Sequence, residues 1–224
     1  MTPLVVAFVS QKGGVGKSTL ARALATFAVR RGYRTRIADL DLQQKTILLW
    51  QANRERQCVE PAIEAASFAS VEEAVAASTD VDLLILDTAG KITDDTTDIV
   101  GHGHLLVQPT SPSPDDLHIA VLVFLAMERV KVPREKLAFA LCRILAGPEE
   151  EQARSHLESF GYRVLEGSIH EQLQYREAMR IGRSIAETEQ QQLDAAPQAL
   201  MLDLLRTAAA NAFKQRSDRR EGRG

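Results

Sequence analysis

Val9-Ser10-Gln11-Lys12-Gly13-Gly14-Val15-Gly16-Lys17-Ser18-Thr19 is the stretch whose reading decides the fold. Leu4 to Val9 before it is an unbroken apolar run rich in β-branched residues, the pattern of a strand buried on both faces. After it Leu20, Leu24, Phe27 and Ala28 recur at helical spacing, so strand, loop and helix follow in order. Three glycines let the loop turn tightly and aim successive N–H groups inward, a concave nest for phosphate oxygens. The N-terminus of the next helix adds the positive end of its dipole. Lys17 is expected against the β- and γ-phosphates of a nucleotide, and the Ser18 hydroxyl on Mg²⁺.

The loop departs from the common G-x-x-x-x-G-K-[ST] spacing, because Gln11 stands where the first glycine would be and Lys12 adds a second lysine. In this it resembles the ParA/MinD group of deviant P-loop ATPases, whose signature is K-G-G-x-G-K-[ST]. The resemblance implies that Lys17 serves the chain's own nucleotide. Lys12 would reach across a nucleotide-sandwich dimer to the ATP of the other subunit. The loop from Gln11 to Thr19, with Lys12, Gly13, Gly14, Val15, Gly16, Lys17 and Ser18 between them, is the expected ATP-binding segment.

Two acidic motifs extend the resemblance. Thr35 to Ala38 reads as a second strand leading into Asp39-Leu40-Asp41-Leu42-Gln43, where relatives carry D-x-D-P-Q; Leu42 replaces the proline and its fixed φ. By resemblance Asp41 orients the attacking water. Asp39 is assigned to the Mg²⁺ shell or to the loop. Val81 to Leu86 is another buried strand, and Asp87 at its end is a Walker B carboxylate expected to hold Mg²⁺.

Further along, Thr46 to Gln51 is a short helix whose Trp50 is expected to pack, and Ser70 to Ala77 is a helix. His104 to Val107 is a strand opening into a proline-rich turn, with Ser113 or Asp115 capping the helix that follows. Leu137 to Cys142 is a strand ending at Arg143, which either contacts the adenine, as its position resembles in small ParA proteins, or is an ordinary surface arginine. Glu149 to Phe160 is an amphipathic helix. The segment Ile169 to Glu187 again looks like the small ParA pattern, although Gln172 stands where relatives often carry arginine. Ala195 to Phe213 closes one ATPase domain over residues 1–213, and the basic tail 214–224 is expected to be disordered.

The totals narrow the function. A net charge of −3 over 224 residues excludes a globally basic nucleic-acid binder. The charge is uneven, however, with ten Lys/Arg against three Asp/Glu between Lys12 and Arg56, so local basic faces remain. Arg176 and Arg180 lie one helical turn apart with Arg183 just beyond, and these three are the expected DNA-binding residues. Glu171 and Glu177 are their competing partners. Cys58 and Cys142 are isolated, which argues against a zinc site, a disulfide scaffold or the cysteine-held cluster of the related nitrogenase iron protein. Neither a signal peptide nor a membrane span is evident, so a cytoplasmic, nucleoid-associated protein is expected.

The expected fold is α/β, a mostly parallel twisted sheet with helices on both faces. The resemblance implies an ATP- and Mg²⁺-dependent partition ATPase that dimerises around ATP and binds DNA without sequence preference. A ParB-like centromere-binding partner would then stimulate hydrolysis, in plasmid or chromosome segregation. The alternatives are a ParA-like positioner of another cargo and a MinD-like membrane-cycling ATPase. The polar, basic residues after Arg216 lack the apolar face that the last of these needs.

Overall fold

The computed structural model describes residues 2–89 and 95–221. Strands β1 (Leu4–Phe8), β2 (Thr35–Asp39), β3 (Glu64–Ser67), β4 (Leu83–Asp87), β5 (Leu105–Thr110), β6 (Leu137–Ile144), β7 (Arg163–Val164) and β8 (Ile169–His170) form one parallel sheet. Its order is β3-β2-β4-β1-β5-β6-β7, and β8 pairs with β6 beyond the end of β7. The chain passes from β1 towards β2 on one side and later from β4 to β5 on the other. The loop after β1 therefore opens at the point where strand order reverses, the place where such sheets hold ligands.

Among the described residues eight α-helices cover the sheet: α1 (Lys17–Val29), α2 (Thr46–Arg56), α3 (Val71–Ala76), α4 (Asp95–His102), α5 (Pro114–Arg129), α6 (Gly147–Ser159), α7 (Leu173–Arg180) and α8 (Gln191–Glu221). Because side chains alternate along a strand, each strand feeds two cores. Val6, Phe8, Ile37, Ile85 and Val107 pack under Leu20, Leu24 and Phe27 of α1 and Leu200 and Leu204 of α8. Val5, Ala7, Leu84, Leu86 and Phe139 pack under Leu117, Phe124 and Met127 of α5 and Leu157 of α6. The rings of Phe124 and Phe139 stack at 4.2 Å between centroids, with Tyr162 edge-on to both.

Several elements differ from the sequence reading. Helix α2 runs on to Arg56, because Trp50 and Arg54 are both buried and hold its second half down. Strand β5 continues through Pro109 to Thr110, where the expected turn would have begun. Its ladder with β1 ends at Phe8↔Val107, so the proline has a strand on one side only. Ser113 is the cap of α5, accepting from the Asp116 amide at 3.3 Å.

In α8, Pro197 cannot donate to the carbonyl of Leu193. The Tyr175 hydroxyl donates to that oxygen instead, at 2.8 Å. Residues 214–221, the described part of the expected tail, continue α8. Ala212 is still buried, the Lys214 ammonium reaches Glu135 at 2.8 Å, and no glycine or proline intervenes before Gly222. Lysine, glutamine and arginine are good helix formers. Residues 222–224 and Gly90, the last residue of the Asp87-Thr88-Ala89-Gly90 motif, lie outside the described residues.

Candidate active site

The loop from Ser10 to Gly16 joins β1 to α1. Gly14 (φ 74°) and Gly16 (φ 116°) both occupy backbone conformations that side-chain-bearing residues rarely adopt. Gly16 is the N-cap of α1, yet no side chain caps this helix and no carboxylate lies in its first turn. The first amides of α1 are thus left for a ligand, which the helix dipole favours as an anion.

Lys17 opens α1 and lines one wall of a cleft completed by Gly13, Ser18, Asp41, Gln44, Asp87 and Thr88. Burial holds the Lys17 ammonium below its usual pKa, opposed by Asp87 and Asp41. The ends of β2 and β4 lie in register with Asp39 opposite Asp87, which brings the two acidic motifs to one floor. The Ser18 hydroxyl donates to Asp87 Oδ2 at 2.6 Å. Asp87 Oδ1 is buried with no hydrogen-bond partner, and desolvation pushes this carboxyl up to about 6. A buried, unpartnered carboxylate oxygen beside a hydroxyl matches Mg²⁺, which commonly takes one or two protein oxygens and completes its shell with water and phosphate. No cluster of three or more His, Cys, Asp or Glu side chains suited to holding a metal by itself occurs among the described residues.

Asp39 is fully buried and accepts from the amides of Asp41 and Ile47, each at 3.1 Å. Oδ1 thus holds the loop between β2 and α2, and Oδ2 holds the first turn of α2. Burial again raises the Asp39 pKa. Asp41 Oδ1 accepts from Gln43 N at 3.2 Å and Gln44 N at 2.9 Å, closing a local turn. That turn does without the proline, and Leu42 in its place is exposed.

Lys12 does not line this cleft. Its ammonium is paired with Asp116 in the first turn of α5, where Asp116 also accepts from Ser111 Oγ at 2.6 Å. The pair is half exposed on the lysine side, 51% against 9% for Asp116, so it can open to solvent. Gln11 is also exposed.

On the far side of the glycines a second, largely apolar pocket continues from the cleft. Val15, Thr19, Leu20, Cys142, Ile169 and Tyr175 line it, with Arg143 and Arg176 at its polar edge. Arg143 sits in the left-handed region (φ 60°) at an irregularity in the β6–β8 pairing. It approaches Glu171 at 3.5 Å, and Arg176 pairs with the same carboxylate, which holds Glu171 below its usual pKa. A pocket of this kind, contiguous with a phosphate nest, suits the flat ring of a nucleotide base.

The three arginines expected to face DNA are not gathered into one bare patch. Arg176 pairs with Glu171 beside the apolar pocket, Arg183 pairs with Glu189 at 2.6 Å, and Arg180 is exposed at the end of α7. Sequence reasoning missed Arg22, Gln44, Thr46 and Thr88 in the cleft wall. Arg22 alone had a legible signal, lying one helical turn after Ser18.

Residues 6–218 match the family model of the CobQ/CobB/MinD/ParA nucleotide binding domain, CbiA. The chain belongs to this family. No curated protein sequence is detectably similar to it. Among solved structures, a putative plasmid partition protein from Borrelia burgdorferi B31 bound to AMPPNP superposes with a TM-score of 0.71 at 13% identity, covering 91% of this chain and 99% of that one. The septum site-determining protein MinD of Pyrococcus horikoshii OT3, complexed with Mg-ADP, gives 0.72 at 15% identity, covering 94% and 99%. A ParA family ATPase from Chlorobium tepidum TLS gives 0.68 at 17% identity, covering 88% and 98%. These similarities show a shared α/β fold, and the family is one of nucleotide-binding domains.

Proposed function

We propose that the chain is a Mg²⁺-dependent ATPase of the partition type, which dimerises around ATP, binds DNA non-specifically and is switched off by partner-stimulated hydrolysis. The observation that carries this reading is the convergence of Lys17, Ser18, Asp87 and Asp41 on one cleft at the free N-terminus of α1. The α1 amides and Lys17 would take the β- and γ-phosphates, and the apolar pocket edged by Arg143 would take the adenine. Ser18 and Asp87 would hold the cation, which when bound neutralises charge on the phosphate oxygens. Asp41 would orient a water whose oxygen attacks the γ-phosphorus while the bond to the bridging β–γ oxygen breaks, giving ADP and phosphate. Such catalysis is mainly positioning and charge neutralisation.

Lys12 would leave Asp116 and reach the phosphates of the second subunit, so that turnover requires the dimer. Arg176, Arg180 and Arg183 would meet DNA phosphates, with the basic end of α8 as an auxiliary, and a ParB-like protein would trigger hydrolysis. The reading places the protein on plasmid or chromosomal DNA in the cytoplasm. No described helix is long and apolar enough to cross a membrane. Phosphate release with Mg-ATP, measured for the native protein and Lys17→Ala with and without non-specific DNA, tests the proposal. Turnover that Lys17→Ala abolishes supports it; no turnover under any condition refutes it.

A further inference from the structure

Arg22 is an unusual residue to find at the back of this cleft. It lies one helical turn beyond Ser18 on α1, among neighbours that are almost all buried and apolar. Its Nε is buried without a hydrogen-bond partner. One arm of the guanidinium is engaged: Nη2 donates to the carbonyl of Thr46 at 2.8 Å. Thr46 is the first residue of α2, five residues after Asp41, and the turn between them has no proline to stiffen it.

The same guanidinium lies 5.5 Å from the centre of the Trp50 ring, and Arg54 lies 5.5 Å from that ring as well. Arg54 is fixed by a buried two-pronged pair with Glu187, at 2.9 and 3.0 Å. Trp50 Nε1 donates to the carbonyl of Arg183 at 3.1 Å. Helix α2 is therefore held at two places along its length. Glu187 and the Arg183 backbone hold its middle and end, and Arg22 holds its first residue. On the side of the water-orienting turn, the Arg22 contact acts beside the bond from Ile47 N to Asp39 Oδ2, and it is the one made by a side chain of α1. Burial lowers the pKa of the Arg22 guanidinium, and Asp87 and Asp39 on the cleft floor oppose that shift.

We propose that Arg22 is a positioning residue for hydrolysis, fixing the Asp41 turn by tethering the start of α2 to the floor of the cleft. The proposal rests on the ATPase reading above, because it concerns the placement of the residue that orients the water. Arg22 acts through Thr46 and touches no reacting atom. A carboxylate displaced by about 1 Å from a near-attack geometry costs on the order of a hundredfold in rate. Loss of the tether should therefore reduce kcat by about 10- to 100-fold. It should leave nucleotide affinity nearly unchanged, since Lys17, the α1 amides, Ser18 and Asp87 remain.

Trp50 is the only tryptophan in the chain, and its indole stands next to Arg22, so its emission reads the tether directly. The experiment compares the native protein with Arg22→Met and Arg22→Lys. Its readouts are the Kd for Mg-ATP by calorimetry, kcat and KM, and the Trp50 emission spectrum with and without Mg-ATP. In Arg22→Met, Kd is expected within about threefold of native, kcat at least tenfold lower, and the nucleotide-induced change in Trp50 emission diminished or lost. Arg22→Lys keeps the charge but not the planar fork, so its kcat should fall between the two; should Arg22→Met fail to fold, this variant carries the same criteria. A folded variant with native kcat overturns the proposal. So does one in which kcat/KM falls only through Kd, since Arg22 would then be binding phosphate. A native protein without turnover refutes the ATPase reading and this proposal with it. Native turnover with an unaffected variant refutes this proposal alone.

Discussion

Replacing Asp87 by asparagine should make the nucleotide-free protein more stable while disabling it. The folded carboxyl titrates near 6 against an ordinary 3.8, because burial disfavours its charged form. Between those values the folded chain binds more protons than the unfolded one, so this group's contribution to stability falls as pH rises from about 4 to 6 and is constant above. The gap of 6 − 3.8 = 2.2 pH units corresponds to roughly 3 kcal/mol of destabilisation at pH 7, at about 1.36 kcal/mol per unit. Asparagine has nearly the same shape, keeps an oxygen for the Ser18 hydroxyl and carries no charge. In a domain of this size about 3 kcal/mol corresponds to a Tm rise of roughly 6–12 °C. Thermal unfolding of both proteins without nucleotide, at pH 4 and pH 7, measures it. The Asn variant should be markedly more stable at pH 7 and nearly equal at pH 4. Adding Mg-ATP should then stabilise the native protein by mass action and the variant far less. An equal or lower Tm for the variant at pH 7, or the same advantage at pH 4, would refute the claim that Asp87 is held charged at a cost for the sake of the cation.

Other changes test other parts. A Cβ at Gly182 would fall 2.5 Å from Arg54 Cα and 2.7 Å from its nitrogen, at a residue with φ 80°; Gly182→Ala should cost about 2–4 kcal/mol in chemical denaturation. Lys12→Ala should bind ATP within a few-fold of native yet neither dimerise nor turn over. Asp116→Asn, which weakens the hold on Lys12, should dimerise at lower ATP concentration in a sedimentation titration. Arg176→Ala with Arg180→Ala should lower DNA affinity and flatten its salt dependence in filter binding, with deletion of 214–224 as the comparison. DNA binding abolished by the deletion alone would assign the contact to the end of α8.

What the sequence made legible was the order of elements and the places of motifs made of consecutive residues. The phosphate loop, the strand-end aspartates and the alternation of strand and helix all follow from local spacing, and each stands where that spacing puts it. Features built by distant residues were not legible. Lys12 and Asp116 are 104 positions apart, and nothing near Lys12 announces its partner. Strand β3, Glu64-Ala-Ala-Ser, has weak strand propensity and exists because β2 offers it an edge. Residues 214–221 are compositionally like a tail, but they inherit the register of a helix already anchored by Leu200 and Leu204. Nothing in the spacing around Asp39 announces that its oxygens accept from the amides of Asp41 and Ile47. The arginines of α7 show the limit from the other side: periodicity put Arg176 and Arg180 on one face, but Glu171 draws the first of them towards the apolar pocket.

The central claim, that this cleft drives an ATP-dependent dimer, is tested most directly by the mass of Asp41→Ala in solution. This variant should bind ATP and lack the group that orients the water, so it should accumulate in the nucleotide-bound state. Light scattering on the eluting peak should give twice the protomer mass with Mg-ATP and the protomer mass with Mg-ADP. The double substitution Lys12→Ala, Asp41→Ala should remain at the protomer mass in both. A single mass for Asp41→Ala whichever nucleotide is present, or a dimer that forms equally well without Lys12, would contradict the account.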